Sequence, residues 1–190
     1  ICDTGDTGDT GDTGDTADTG DTADTGEKPL AWLQVSAGGS HSCGVLVGGE
    51  VLCWGAAESG QLEVPEGLEA TAVSAGGAHT CALSVDSEVV CWGDDSQGQA
   101  TPPSGVYATI SAGGEHNCAI HRDGDNSCWG LDEDRQSQPP ALDFFQVSAG
   151  ITHSCGAYGS GQWSCWGGDS AGQTEAQDNE GFTAVHAGGS

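Results

Sequence analysis

The sequence repeats itself four times at intervals of 37 or 38 residues, and that periodicity limits the fold before anything else does. Each copy reads Ser-Ala-Gly, then His, one residue, Cys, nine residues, Cys-Trp-Gly. The histidines are His41, His79, His116 and His153; the first cysteines are Cys43, Cys81, Cys118 and Cys155; the second are Cys53, Cys91, Cys128 and Cys165. Trp54, Trp92, Trp129 and Trp166 follow directly. A unit recurring at this spacing cannot bury its apolar faces alone and does so by stacking on its neighbours, so a repeat protein is expected.

The nine residues between paired cysteines centre on a turn. Three copies end it on glycine, in Val47-Gly48-Gly49, Arg122-Asp123-Gly124 and Gly159-Ser160-Gly161, and the second has Val85-Asp86-Ser87. A three-residue hairpin loop commonly needs a left-handed third residue, which glycine adopts without steric cost. Pairing across such a loop sets Cys43 opposite Cys53, Cys81 opposite Cys91, Cys118 opposite Cys128 and Cys155 opposite Cys165. If the pair flanking the loop is hydrogen-bonded, the cysteines occupy a non-hydrogen-bonded slot with α-carbons about 4.5 Å apart, within disulfide reach. Four hairpin disulfides are predicted, each worth roughly 2–3 kcal/mol on the chain-entropy model. Eight paired cysteines imply an oxidising compartment, and hence an exported protein, extracellular or at the cell surface. Metal ligation by His-x-Cys plus the second Cys is the competing reading, but these groups are spread over two strands rather than closely paired, and neither metal nor cofactor is expected.

The hairpin strands are apolar on both faces. In the second copy Cys81, Leu83, Val89 and Cys91 point one way and Ala82, Val90 and Trp92 the other, so each sheet must be covered on both sides. Further strands are expected before the hairpin at Leu33 to Ala37, Ala72 to Ala75, Thr109 to Ala112 and Phe145 to Ala149, with a short extended segment after it near Gly60-Gln61, Gly98-Gln99 and Gly172-Gln173. About four short strands per unit, stacked around an axis, describes an all-β fold of propeller blades, with a β-solenoid as the runner-up.

Val-Ser-Ala-Gly-Gly-x-His-Ser-Cys, a hairpin, Cys-Trp-Gly and a later Gly-Gln resemble the repeat of the regulator of chromosome condensation family, in its compact, cysteine-bearing, secreted bacterial form. The resemblance runs from about Ala31 to Ser190 and implies a seven-bladed propeller. Against that number the chain reads as a fragment, with blades at about 31–69, 70–106, 107–143 and 144–181 and the start of a fifth at 182–190. Its terminal blades should then expose uncovered apolar faces.

The formal charge is −26, with Lys28, Arg122 and Arg135 the only basic residues besides histidine, so a phosphate backbone is repelled and no nucleic-acid partner is expected. The same charge argues against chromatin docking, and guanine-nucleotide exchange follows from the family name alone. From Asp3 to Gly26 the chain reads Asp-Thr-Gly or Asp-Thr-Ala eight times. Such a polymer cannot offset the entropy of ordering, and 1–29 is expected to be a disordered acidic spacer spanning roughly 25–30 Å. A cation site or glycosylated threonines in this tail are the alternatives. Cys2, ahead of the spacer and unpaired in the repeat count, resembles the lipid-bearing first residue of a bacterial lipoprotein. No apolar run approaches the length of a transmembrane helix.

The four motif histidines occupy equivalent, separated positions, whereas catalysis brings unlike groups to one point, so they are expected to be structural and the protein is not expected to be an enzyme. The motif tryptophans are expected to pack between blades. Asp95, Asp132 and Asp169, each three residues after a motif tryptophan, suit turns, with an acidic binding rim as the second reading. Trp32 and Trp163 are candidates for exposed aromatic contacts on that rim. Together these readings point to an exported interaction module that binds a protein partner, with a carbohydrate-binding propeller lectin as the alternative.

Overall fold

The computed structural model describes residues 30–175 and 183–188. The spacer, Cys2 and both ends of the expected partial fifth unit lie outside the described residues. Twelve strands are found among the described residues: β1 (Trp32–Ala37), β2 (His41–Leu46), β3 (Val51–Gly55), β4 (Ala70–Ala75), β5 (His79–Ser84), β6 (Val89–Gly93), β7 (Tyr107–Ala112), β8 (His116–His121), β9 (Asn126–Gly130), β10 (Phe144–Ala149), β11 (His153–Tyr158) and β12 (Gln162–Gly167). They form four antiparallel meanders, β1-β2-β3, β4-β5-β6, β7-β8-β9 and β10-β11-β12, stacked as successive blades.

Each hairpin has the register its loop demands. Cys43 pairs with Cys53, Cys81 with Cys91, Cys118 with Cys128 and Cys155 with Cys165, and every pair is disulfide-bonded. Their α-carbons lie 4.0–4.1 Å apart, on the close side of the two antiparallel slots. Gly49, Gly124 and Gly161 take positive φ at the third loop position, and Ser87 is held there at φ 67°. A serine in this region is strained relative to glycine. Ser87→Gly is therefore expected to raise stability by about 0.5–1 kcal/mol, read as a higher urea midpoint at unchanged slope.

The first strand of every sheet carries a bulge, between Trp32 and Gln34, Ala70 and Ala72, Tyr107 and Thr109, and Phe144 and Gln146. One extra residue shifts the alternation, which brings Trp32 onto the face of Val35 and turns Leu33 and Phe145 outward to solvent. Trp32 thereby occupies the register position of Ala70, Tyr107 and Phe144. That register position recurs in every sheet, and among the described residues Trp32 is 41% exposed there.

The expected fourth strand is also corrected: Gly60-Gln61, Gly98-Gln99 and Gly172-Gln173 lie in turns, leaving three strands per sheet among the described residues. Positive φ at Gly60, Gly98 and Gly172 curls the chain, and the glutamine amide oxygen closes the turn by accepting from the backbone N–H two residues earlier. The third copy builds the same turn with Arg135 at φ 64° followed by Gln136.

The core lies between sheets rather than within them. Cys43, Val45, Val51 and Cys53 of the first sheet cover Ala70, Val73, Ala82 and Trp92 of the second. Cys81, Leu83, Val89 and Cys91 then cover Tyr107, Ile110, Ala119 and Trp129, and Cys118, Ile120 and Cys128 cover Phe144, Val147 and Trp166. Each sheet thus offers a cysteine face to the next sheet and a tryptophan face to the previous one.

Candidate functional site

Repetition places one polar cluster at each junction. His79 Nε2–H donates to Asn117 Oδ1 of the next sheet (2.9 Å), and Asn117 Nδ2 donates to the carbonyl of Gln99 (2.9 Å). The same Gln99 carbonyl accepts from Trp129 Nε1 (3.1 Å). At the following junction His116 Nε2 lies 2.7 Å from Ser154 Oγ, whose proton goes to the Gln136 carbonyl, which also receives Trp166 Nε1 (2.9 Å). His41 reaches Thr80 Oγ1 (2.7 Å), and Trp92 Nε1 donates to the carbonyl of Gln61 (2.9 Å). The residue between His and Cys is polar in every copy, as Ser42, Thr80, Asn117 and Ser154, and in the last three it ties its blade to the histidine of the one before it. Its chemistry was visible in the sequence, whereas the glutamine carbonyl was not.

The His116–Ser154 pair has the length of a nucleophile–base contact, but both residues are buried and the serine proton is committed to a carbonyl. A substrate has no access to it, and the other histidines meet Thr80 and Asn117 in equally buried settings. The imidazoles are packed edge-on against glycine: a Cβ on Gly76 would lie 2.7 Å from His79 Nδ1 and 2.6 Å from the carbonyl oxygen of Gly113. Only glycine permits that approach. The Nδ1 atoms of His41, His79, His116 and His153 are buried with no hydrogen-bond partner. Burial holds the pKa of all four below the ordinary histidine value, that of His116 at about 4, where repulsion from His79 and His153 adds to burial and Asp132 opposes it. His41, His79 and His116 are pins between successive described blades, with burial favouring their neutral form.

The Ala-Gly-Gly runs and their Ala-Gly-Ile equivalent end the inner strands and line a shared cavity of about 610 Å³, which Glu115, Leu131 and Thr152 also reach. Backbone groups there bond from sheet to sheet, Gly39 N–H to Gly76 O (3.0 Å), Gly77 N–H to Gly114 O (3.0 Å) and Gly114 N–H to Gly150 O (2.9 Å). Inner-strand serines add a second ladder, in which Ser36, Ser74 and Ser111 accept from the N–H of Ala75, Ala112 and Ala149.

The exposed aspartates each close a local turn. Asp95 accepts from Ala100 N–H and Thr101 Oγ1, Asp132 from Ser137 N–H and Gln138 Nε2, and Asp169 from Thr174 N–H. Hydrogen bonds from Thr174 hold the Asp169 pKa below the usual carboxylate value. Trp163 pairs with Ala157 on the cysteine face of the fourth sheet, is half-buried, and lines a cavity with His153, Cys155, Cys165, Gln173 and Val185. The motif cysteines are consumed in disulfides and offer no thiolate to a metal, and no cluster of three or more candidate ligands occurs among the described residues.

The family model for the regulator of chromosome condensation (RCC1) repeat matches residues 32–61 and 70–99. Among curated proteins none matches the chain. Of solved structures, the CRINKLY WD40 ectodomain of the Arabidopsis thaliana receptor kinase ACR4 is 28% identical at a TM-score of 0.66, over 73% of this chain and 51% of that one. The ectodomain of the Physcomitrella patens receptor kinase CR4 is 29% identical at 0.67, over 83% and 45%. Prp20p from Saccharomyces cerevisiae shares the fold at 21% identity and a TM-score of 0.66, over 77% and 47%. The chain spans about half the length of these proteins. The chain is thus similar to the regulator of chromosome condensation repeat over two of its four units, the three-stranded sheet and its disulfide recur in the other two, and the four sheets are consecutive blades of a β-propeller.

Proposed function

We propose that this protein is an exported, non-catalytic interaction module whose blade rim binds a protein partner. The observation that carries the reading is that the buried motif histidines are engaged with Thr80, Asn117 and Ser154 in holding the arc together, which leaves the turns, with exposed Asp95, Asp132 and Asp169, as the accessible surface. Four disulfides favour an oxidising, extracellular setting, and two of the similar structures are receptor ectodomains. Prp20p was described together with its binding to Gsp1p and histones, a precedent for protein recognition on this fold. Within this proposal, residues 30–190 form the propeller part, residues 1–29 act as an acidic spacer, and Cys2 carries a lipid that anchors the protein to a cell surface.

The test uses surface proteins of the source cell captured on the purified chain, followed by reconstitution with the purified partner. Asparagine at Asp95, Asp132 and Asp169 retains an acceptor oxygen for each turn but removes the rim charge. The triple variant is expected to bind at least about tenfold more weakly, mostly through a slower on-rate. Multivalent binding on a glycan array, or accelerated nucleotide release from a GTPase, would overturn the proposal.

A further inference from the structure

The four repeats serve as comparisons for one another, and the third departs from the rest at the outer end of its hairpin. The sixth residue of its middle strand is His121, where the other copies have Leu46, Ser84 and Tyr158. Two residues before the second cysteine stands Asn126, against Val51, Val89 and Trp163, and next to it Ser127, against Leu52, Val90 and Ser164. Only the third copy is polar at all three positions. The fold brings the three side chains together: they line a cavity of about 410 Å³ between the β8–β9 hairpin and the connection 139–143 that leads to β10. The corresponding place in the first repeat is a cavity of about 340 Å³ lined by Val51, Val64 and Leu68, which pack into the interblade core. The third copy has given up that apolar packing for polar groups, a costly exchange unless they are paired.

The donors in this cavity are spent, and the acceptors are not. His121 Nε2 and Ser127 Oγ lie 2.8 Å apart and satisfy each other, with the imidazole stacked on Tyr107 at 4.2 Å. Asn126 Nδ2 donates to the carbonyl of Leu142 (2.7 Å), whereas Asn126 Oδ1 is buried with no donor. Asp125 and Asp143 are exposed on the cavity wall, and no lysine or arginine lines it. We propose that this cavity receives a lysine or arginine side chain of a protein partner. The inference rests on the reading of the chain as a protein-binding module and adds the chemistry of one contact. An ammonium or guanidinium head brings several N–H donors, one for Asn126 Oδ1 and others for the two carboxylates, and its aliphatic stem has Pro139, Pro140 and Ala141 to lie against. A carboxylate side chain would be repelled here, as by the chain as a whole at a formal charge of −26.

Titration of the whole chain with N-acetyl-arginine amide and N-acetyl-lysine amide, followed by the NMR signals of the His121 ring and the Asn126 side-chain amide, tests this without the partner. Saturable shifts at both residues are expected, with an affinity of about millimolar that weakens at high salt, and N-acetyl-glutamate amide is expected to move neither. Asn126→Val installs the residue of the first two copies, and Asp143→Asn removes one charge while keeping an acceptor. Each is expected to weaken the better cation at least about threefold, read at the His121 ring, with circular dichroism confirming the fold. Asp86→Asn removes a charge from the second hairpin loop instead and is expected to leave the affinity unchanged. Cationic probes that bind no better than the glutamate derivative, or that bind both cavity variants as tightly as the native chain, would overturn the proposal and leave partner binding at the turns standing.

Discussion

Exchanging Cys81 and Cys91 together for alanine is expected to lower stability by about 2–3 kcal/mol, and reducing all four pairs is expected to unfold the arc. Each disulfide closes a loop of sequence separation 10, short enough that the entropic gain per bond is modest. The sum decides the outcome: four bonds in four separate sheets contribute about 8–12 kcal/mol, comparable to the whole stability of an ordinary domain. A sheet of three strands with both faces dependent on neighbours has little else to hold it. The second sheet takes part in two of the described cores and the first in one, so the Cys81 and Cys91 exchange should cost more than the same exchange at Cys43 and Cys53. Urea unfolding with and without reductant measures the difference. Thiol titration of the denatured, unreduced chain should find none of the eight motif cysteines reactive. Eight reactive thiols would refute the arrangement.

Hairpin, cysteine pairing and face assignment were legible in the sequence because they rest on local rules: loop length sets register, and alternation sets face. The position shared by Trp32, Ala70, Tyr107 and Phe144 was not, because a bulge breaks the alternation one residue after it and makes the aromatic look isolated. The glutamine turns were misread as strands for a related reason. Their extended appearance comes from Gly-Gln, but the amide folds back onto its own turn while the carbonyl faces the next blade's tryptophan, a contact between residues about 30 apart that no local pattern announces. Arg135 hid the third copy of that turn by standing where the other copies have glycine. The spacing of the histidines suggested a structural role, but the partners of His41, His79 and His116 belong to the following repeat and emerge only once the sheets are stacked.

Those histidines make the arc sensitive to acid. Burial is the main cause of the lowered pKa at all four, and at His116, at about 4, repulsion from His79 and His153 contributes. The unfolded chain protonates near the ordinary histidine value of about 6.5, so between that pH and 4 the unfolded state binds more protons than the folded one. Stability is thus flat with respect to His116 above pH 6.5, declines as pH falls towards 4, and loses no more from this group below that. The depression at His116 corresponds to a loss of about 3 kcal/mol at most, and the three remaining histidines act with the same sign. Geometry supplies the reason a proton is refused. Nε2–H is already committed to Ser154, and Nδ1 has no acceptor at any of the four sites, so an imidazolium would bury an unpaired N–H. Of the carboxylates near these rings, Asp94 and Asp95 favour the charged form of His79 and Asp132 that of His116, but burial outweighs them. His116→Gln keeps a donor for Ser154 and removes the titration. Its unfolding free energy is expected to vary less between pH 7 and 4.5, by up to one proton's worth of slope, and proton resonances of the His116 imidazole in the native chain should remain those of the neutral ring to about pH 5. A native chain equally stable at pH 5 and pH 7, or a His116 ring that titrates near 6.5, would contradict this account of the junction.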